Sequence, residues 1–268
     1  MNVKLIVSLL LVLSMTLFAC KNEEKEKSGN IKNQSAENFD TADSSISEKK
    51  QFTNDSIEAE IDSINQKVRK EINNPDHYIE RAKIYQSAGD INMAVKDLDR
   101  AFRIDSLYLP TILAQADLLG KHGKFDLAVK MLERGKRHYP ESSNLYEAYS
   151  ELYLIAQNNQ KSLKNADLAI KYDKFNANAY YLKGFNFWEI GDTNKAISSY
   201  QTAVEQNPEH FKAYLELGSI FSAKDDPLAL DYYENALSIK PKSKVALYAK
   251  GMFEQEHELY NEAMQTYL

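Results

Sequence analysis

From Ser56 onward the hydrophobic positions fall into a helical rhythm. Ile57, Ile61, Ile64, Val68 and Ile72 recur at steps of four and three, the apolar stripe of one amphipathic helix. The pattern then becomes repetitive. Ala82, Ala116, Ser150, Gly184, Gly218 and Gly251 are separated by 34, 34, 34, 34 and 33 residues. Ala94, Ala128, Ser162, Ala196, Ala229 and Ala263 form a second small column, and Ala101, Gly135, Ala169, Ala203 and Ala236 a third, in the same register. Large residues stand between them. Tyr78, Ile112, Tyr146, Tyr180, Tyr214 and Leu247 come four residues before the first column. Tyr85, Leu119, Tyr153, Phe187 and Phe221 come three after it, where the sixth unit has Glu254. Leu98, Leu132, Tyr200, Tyr233 and Tyr267 repeat in the second half of each unit, with Ala166 as the exception. Spacings of four and three put each set on one helical face. The columns therefore predict six helical hairpins whose two helices approach closely at small residues. A single hairpin cannot bury both faces, so stability must come from stacking.

The turns agree. Gly89, Gly123 and Gly191 lie midway between paired helices, where a helix C-terminus favours a left-handed residue. The fifth unit is one residue shorter and reads Asp225-Asp226-Pro227, with Asp226 placed to cap the next helix and Pro227 at its first position. Pro140, Pro208 and Pro241 stop second helices.

This pattern resembles the tetratricopeptide repeat over about 75–268, with units at 75–108, 109–142, 143–176, 177–210 and 211–243 and a partial sixth from 244. The resemblance implies an all-α solenoid, a right-handed superhelix of hairpins whose first helices line a concave groove. The helix within 55–74 then reads as a cap on the array. The sequence given stops inside what the repeat makes a second helix, so the expectation is either further chain or an apolar end covered by a partner.

The first 20 residues have a different pattern. Lys4 precedes an apolar run from Leu5 to Ala19, short for a membrane span and shaped like a secretory signal. Leu17-Phe18-Ala19-Cys20 resembles a bacterial lipobox. That resemblance implies a lipoprotein signal peptide at 1–19 and acylation of Cys20, with several acyl chains holding the protein to a membrane. Lys21-Asn22-Glu23-Glu24 resembles the export signal of surface lipoproteins of Bacteroidota, so an outer-membrane lipoprotein, on the periplasmic face or the cell surface, is expected. Residues 20–54 are rich in Lys, Glu, Asn, Ser and Asp and carry too little apolar surface to order, so they read as a disordered linker.

By the family's pattern, the groove-facing residues of the fourth unit are Asn178, Tyr181, Phe185, Trp188 and Glu189. Tyr180, Gly184 and Phe187 serve the hairpin seam, so the strip Tyr181, Phe185, Trp188 is aromatic surface that the seam does not need. Tyr and Trp are enriched in binding hot spots. The competing reading is that the strip packs against a neighbouring unit. Lys83, Asp117, Glu147, Glu151, Leu154, Leu215, Ser219 and Tyr248 fill the other groove positions. Of these, Glu151, Leu154 and Tyr248 join Tyr181, Phe185, Trp188 and Glu189 as the candidate partner-binding set. Some family members clamp a terminal carboxylate with Lys, Arg and Asn, but Ile79, Glu147, Glu151 and Tyr181 stand in those places.

Composition narrows the function. Lys and Arg total 33 against 39 Asp and Glu, a net charge of −6, which is not the footprint of a nucleic-acid binder. The single cysteine excludes disulfide frameworks and four-cysteine zinc sites. His257-Glu258 opens an HExxH-like sequence, but residue 261 is Asn, so the second zinc ligand is missing. No P-loop, GxGxxG or GxSxG occurs. The expectation is a non-catalytic, membrane-anchored scaffold without cofactor or metal. It binds a protein or peptide in its groove, in envelope assembly or secretion. The alternative is a surface glycan-binding lipoprotein that uses the groove aromatics.

Overall fold

The computed structural model describes residues 56–267, which form thirteen helices and no strand. A first helix, α1 (56–70), precedes six antiparallel pairs: α2 (Pro75–Ser87) with α3 (Ile91–Ile104), α4 (Leu109–Lys121) with α5 (Phe125–His138), α6 (Ser143–Ile155) with α7 (Asn159–Tyr172), α8 (Ala177–Glu189) with α9 (Thr193–Gln206), α10 (Phe211–Ser222) with α11 (Leu228–Ile239), and α12 (Lys244–Glu256) with α13 (Tyr260–Tyr267). The dominant contacts lie within each pair, and the second helix of each pair packs on the first helix of the next. That is an α-solenoid of stacked hairpins.

The small columns form the seams. Ala82, Ser150, Ala94, Ala128, Ser162, Ala196, Ala229, Ala101, Ala169, Ala203 and Ala236 are all fully buried. The large partner changes along the stack. Ala82 and Ala116 oppose leucines (Leu98, Leu132), whereas Gly184, Gly218 and Gly251 each lie directly under a tyrosine ring. A Cβ on Gly184 would fall 2.7 Å from Tyr200, on Gly218 2.5 Å from Tyr233, and on Gly251 2.5 Å from Tyr267. Glycine is required there by close approach. The third hairpin, where Ala166 replaces the large residue, fills its seam with polar groups instead. Ser162 Oγ donates to the Ser150 carbonyl (2.9 Å), and Asn186 Nδ2 donates to Ser162 Oγ (2.8 Å).

The bulky tyrosines also change the inner layer. The backbones of first helices approach their successors from α2 to α8, whereas those of α8 and α10, and of α10 and α12, stand farther apart with side chains between them. Tyr200 and Tyr233, thick where Leu98 and Leu132 are thin, stand at these two junctions.

Every turn within a hairpin has the same backbone solution. Gly89 (φ 80°), Gly123 (φ 71°) and Gly191 (φ 84°) are left-handed, as their spacing predicts. Gln157 (φ 55°), Asp225 (φ 59°) and Glu258 (φ 61°) occupy the equivalent places of the other three hairpins. The next residue commonly caps the following helix: Asp90 accepts from Met93 N, Asn158 from Lys161 N and Asp192 from Lys195 N. Asp226 accepts from Leu228 N at 3.0 Å, so the helix starts one residue later than its proline suggests, with Pro227 at the cap.

In α1, Ile64 is buried and Val68 packs on the first hairpin, while Ile72 lies beyond the helix and is exposed. Arg81 ties this helix to the array. It grips both carboxylate oxygens of buried Asp97 and donates to Asn65 Oδ1 in α1. In the sixth hairpin, Glu254 is 3% exposed and is matched by Lys250 Nζ (3.3 Å) and by the Thr266 hydroxyl (2.8 Å). An internal polar set thus replaces the large apolar or aromatic residue that the other units carry.

Candidate functional site

The first helices of hairpins one to three enclose an open cavity of about 490 Å³. Its apolar lining includes Ile79, Leu113, Ala148 and Ile155, and its polar lining includes Lys83, Asp117, Asn144, Glu147, Glu151 and Asn178. Four of the groove positions expected from the repeat (Lys83, Asp117, Glu147 and Glu151) come together here, with Asn178 of the fourth unit. Ile155, exposed on α6, was not expected. It follows Leu154, the residue the pattern favours, and a one-residue difference on a helix is a rotation of about 100°. Leu154 is half-buried and outside the lining.

A hydrogen-bonded relay across three hairpins fixes the Glu147 carboxylate. His210 Nδ1 accepts from Ala213 N (3.1 Å), so its proton sits on Nε2, which donates to Asn178 Oδ1 (3.0 Å). Asn178 Nδ2 then donates to Glu147 Oε1 (3.0 Å), and Asn176 Nδ2 to Glu147 Oε2 (2.8 Å). Burial lowers the His210 pKa, which keeps the ring neutral for this role. Burial raises the Glu147 pKa, and the two amides oppose that rise without neutralising the charge.

Glu151 reaches solvent at the surface of the concave wall, yet protein surrounds its carboxyl. Burial first, then Glu147 and Asp117, push it up to about 7, against the pull of Lys212 and Lys121. Glu216 on α10 is likewise pushed up to about 7 by burial, with Glu189 adding and Lys212 opposing. Asp117 is already paired with Lys121 at 2.8 Å.

The aromatic strip Tyr181, Phe185, Trp188 lies next to this cavity without lining it. All three are half-buried and pack against Ala196, Tyr200, Ala213, Leu217 and Ile220 of the fourth and fifth hairpins. The Tyr181 ring is 5.7 Å from that of Tyr200 and 5.1 Å from that of His210, and Lys212 Nζ stands 5.9 Å over it. Its hydroxyl pKa is raised, chiefly by burial. Glu189 is exposed at the end of α8. Tyr248, 56% exposed on α12, lies far along the stack beside Tyr267 (6.5 Å). Leu215 belongs to the fifth hairpin's apolar cluster, and Ser219 bonds its own helix. Cys20, with the signal and linker, lies outside the described residues. Among the described residues, no cluster of three His, Cys, Asp or Glu can hold a metal ion, and no helix is long and apolar enough to cross a membrane.

Comparison with known proteins agrees with the hairpin geometry. The tetratricopeptide repeat matches residues 113–179 and 181–244, and a second form of it matches 77–106. The human protein O-mannosyl-transferase TMTC1 is 28% identical over 177 residues, which is 64% of this chain and 19% of that protein. Human tetratricopeptide repeat protein 6 is 26% identical over 179 residues, 64% of this chain and 34% of that one. The chain thus spans between a fifth and a third of the length of these relatives. Among solved structures, the APC/C hetero-tetramer Cut9-Hcn1 shares the fold with a TM-score of 0.58, at 14% identity over 74% of this chain and 40% of that one. YrrB, described as a TPR protein with an unusual peptide-binding site, has a TM-score of 0.44 at 20% identity, over 70% of this chain and 97% of its own. With the repeat matched over more than half of its length, the chain belongs to the tetratricopeptide repeat family.

Proposed function

We propose that this protein is a non-catalytic scaffold, held to the outer membrane by lipid on Cys20, that binds an extended segment of a protein partner along the inner helices. The observation that carries this reading is the cavity of about 490 Å³ between α2, α4 and α6. Its lining mixes apolar side chains with charged ones that the hairpin seams do not use, and a stacked solenoid offers such a concave surface to partners. A cleft with an apolar floor and a few converging polar groups is the usual form of a binding site. Glu151 sits in that lining. Tyr181, Phe185, Trp188, Glu189 and Tyr248 extend the same inner layer toward the C-terminal hairpins, and Leu154 flanks the cavity on α6.

A photo-crosslinker at Ile155 of the full chain in its native envelope tests the groove. It should yield a discrete adduct that is absent when the crosslinker replaces Phe175, a residue 63% exposed in the turn before α8. Equal adducts from both positions would refute a groove-bound partner. A mass spectrum of the membrane-purified chain showing no acyl groups on Cys20 would refute lipid anchoring.

A further inference from the structure

We infer that the groove selects a cationic partner: an extended segment whose lysine or arginine side chain lies on Tyr181 between Glu151 and Glu216. This rests on the groove reading above and assigns its partner chemistry.

Around Tyr181 the unpaired carboxylates outnumber the one unpaired cation, Lys212, while Lys83 stands unpaired farther back in the cavity of the first hairpins. Asp117 has Lys121, but Glu151, Glu189 and Glu216 take no hydrogen bond and no ion pair among the described residues. Glu147 is held by two neutral amides that aim its carboxylate and leave its charge in place. Desolvation in the groove wall raises the pKa of both carboxyls, and the neighbouring Glu147 and Asp117 raise that of Glu151 further, so an arriving cation is favoured beside each.

A second observation comes from the seam. Tyr200 is fully buried, and its hydroxyl has no hydrogen-bond partner. The ring crosses over Gly184 and stands against Tyr181, and the charges nearest its hydroxyl are those of Glu216 and Glu189. Tyr200 is thus a buried donor without a partner, standing beside Tyr181 where the backbones of α8 and α10 are farther apart. Lys212 shows where a cation can stand. Its ammonium lies over the Tyr181 ring and within the field of both Glu151 and Glu216, yet it is bonded to neither. An aromatic face with carboxylates on two sides suits a guanidinium or ammonium. It repels a peptide's terminal carboxylate, the ligand that a basic groove would hold.

The test uses the full chain and three fluorescent peptides of about twelve residues, alternating leucine with arginine, glutamine or glutamate. Electrostatic complementarity of this kind sets the expected preference for the arginine peptide over the glutamine peptide at about tenfold, shrinking as salt rises. Glu151→Gln with Glu216→Gln should abolish that preference while leaving the glutamine peptide's affinity unchanged. Lys212→Gln, which removes the internal competitor, should strengthen arginine-peptide binding, a gain that misfolding cannot mimic. Equal affinities for all three peptides, with binding lost in Ala148→Trp, would overturn the cationic selection and leave the groove in place. An arginine preference that survives the Glu151 and Glu216 changes would also overturn it, since the net charge of the chain would then explain it. Failure of every peptide to bind would overturn both readings.

Discussion

Replacing Gly184 by alanine tests the seam with one methyl group. The new Cβ would lie 2.7 Å from Tyr200 Cδ1 and 2.8 Å from Cε1, well inside the ordinary carbon–carbon contact of about 3.5–4.0 Å. Tyr200 is fully enclosed, so its ring cannot swing into solvent. Overpacking of this kind costs about 2–3 kcal/mol, and alanine recovers about 1 kcal/mol as the better helix former. The expected result is a net loss of about 1–2 kcal/mol, read as a lower urea midpoint by circular dichroism. The first two hairpins contain the compensating pair, alanine against leucine. Tyr200→Leu alone should leave a void and destabilise by about 2 kcal/mol. Gly184→Ala with Tyr200→Leu should cost less than the sum by at least about 1 kcal/mol, since the two changes meet. Gly251→Ala is the matched control, because its tyrosine, Tyr267, is 47% exposed and can rotate away. If Gly184→Ala were as stable as the parent, or the double change strictly additive, the glycine–tyrosine seam would not be the device that sets this spacing.

Three further outcomes follow from the same structure. Gln157→Gly should stabilise the fold by about 0.5–1 kcal/mol, read as a higher urea midpoint, because a left-handed turn at φ 55° strains glutamine and not glycine. Asp97→Ala should cost about 3 kcal/mol by leaving the Arg81 guanidinium without its carboxylate, and hydrogen exchange of α1 should accelerate as the Asn65 contact loosens. Glu151 and Glu216 bind protons more tightly folded than unfolded, so the stability they confer is complete below the ordinary carboxylate pKa and is lost as pH rises through about 7. Thermal melts of Glu151→Gln with Glu216→Gln should therefore gain on the parent as pH rises from about 4.5 to 7, and an unchanged difference across that window would contradict the raised pKa of these carboxyls.

Much of the fold is written in side-chain size. A residue at a seam must be small, so Ala94, Ala128 and Ala196 announce their places by recurrence alone, and the glycine turns announce theirs by conformation. A further small position, Thr111, Ala179, Ala213 and Ala246, is equally buried and less legible because Leu145 interrupts it. The turns at Gln157, Asp225 and Glu258 are invisible to a search for glycine, since the stack imposes their backbone in spite of the residue. The candidate site was legible as a layer and not as a place. Tyr181, Phe185 and Trp188 satisfy groove spacing, yet the fifth hairpin covers much of their surface, and how far one unit overlaps the next depends on Tyr200 and not on α8 itself. The environment of Glu151 was equally hidden, since its neighbours Asp117 and Lys212 lie in other units.

The wider backbone spacing between α8 and α10 has a mechanical consequence. The backbones of the fourth and fifth hairpins meet mainly through α9 against α10, while on the inner side only side chains, Tyr181, Phe185 and Trp188 against Ala213, Leu217 and Ile220, fill the junction. Flexing there would alter the curvature of the inner wall while each hairpin keeps its own seam, because the units of such a stack interact only with their nearest neighbours. A guest laid from Glu151 to Glu216 would span that junction and stiffen the array, as a splint does across a joint.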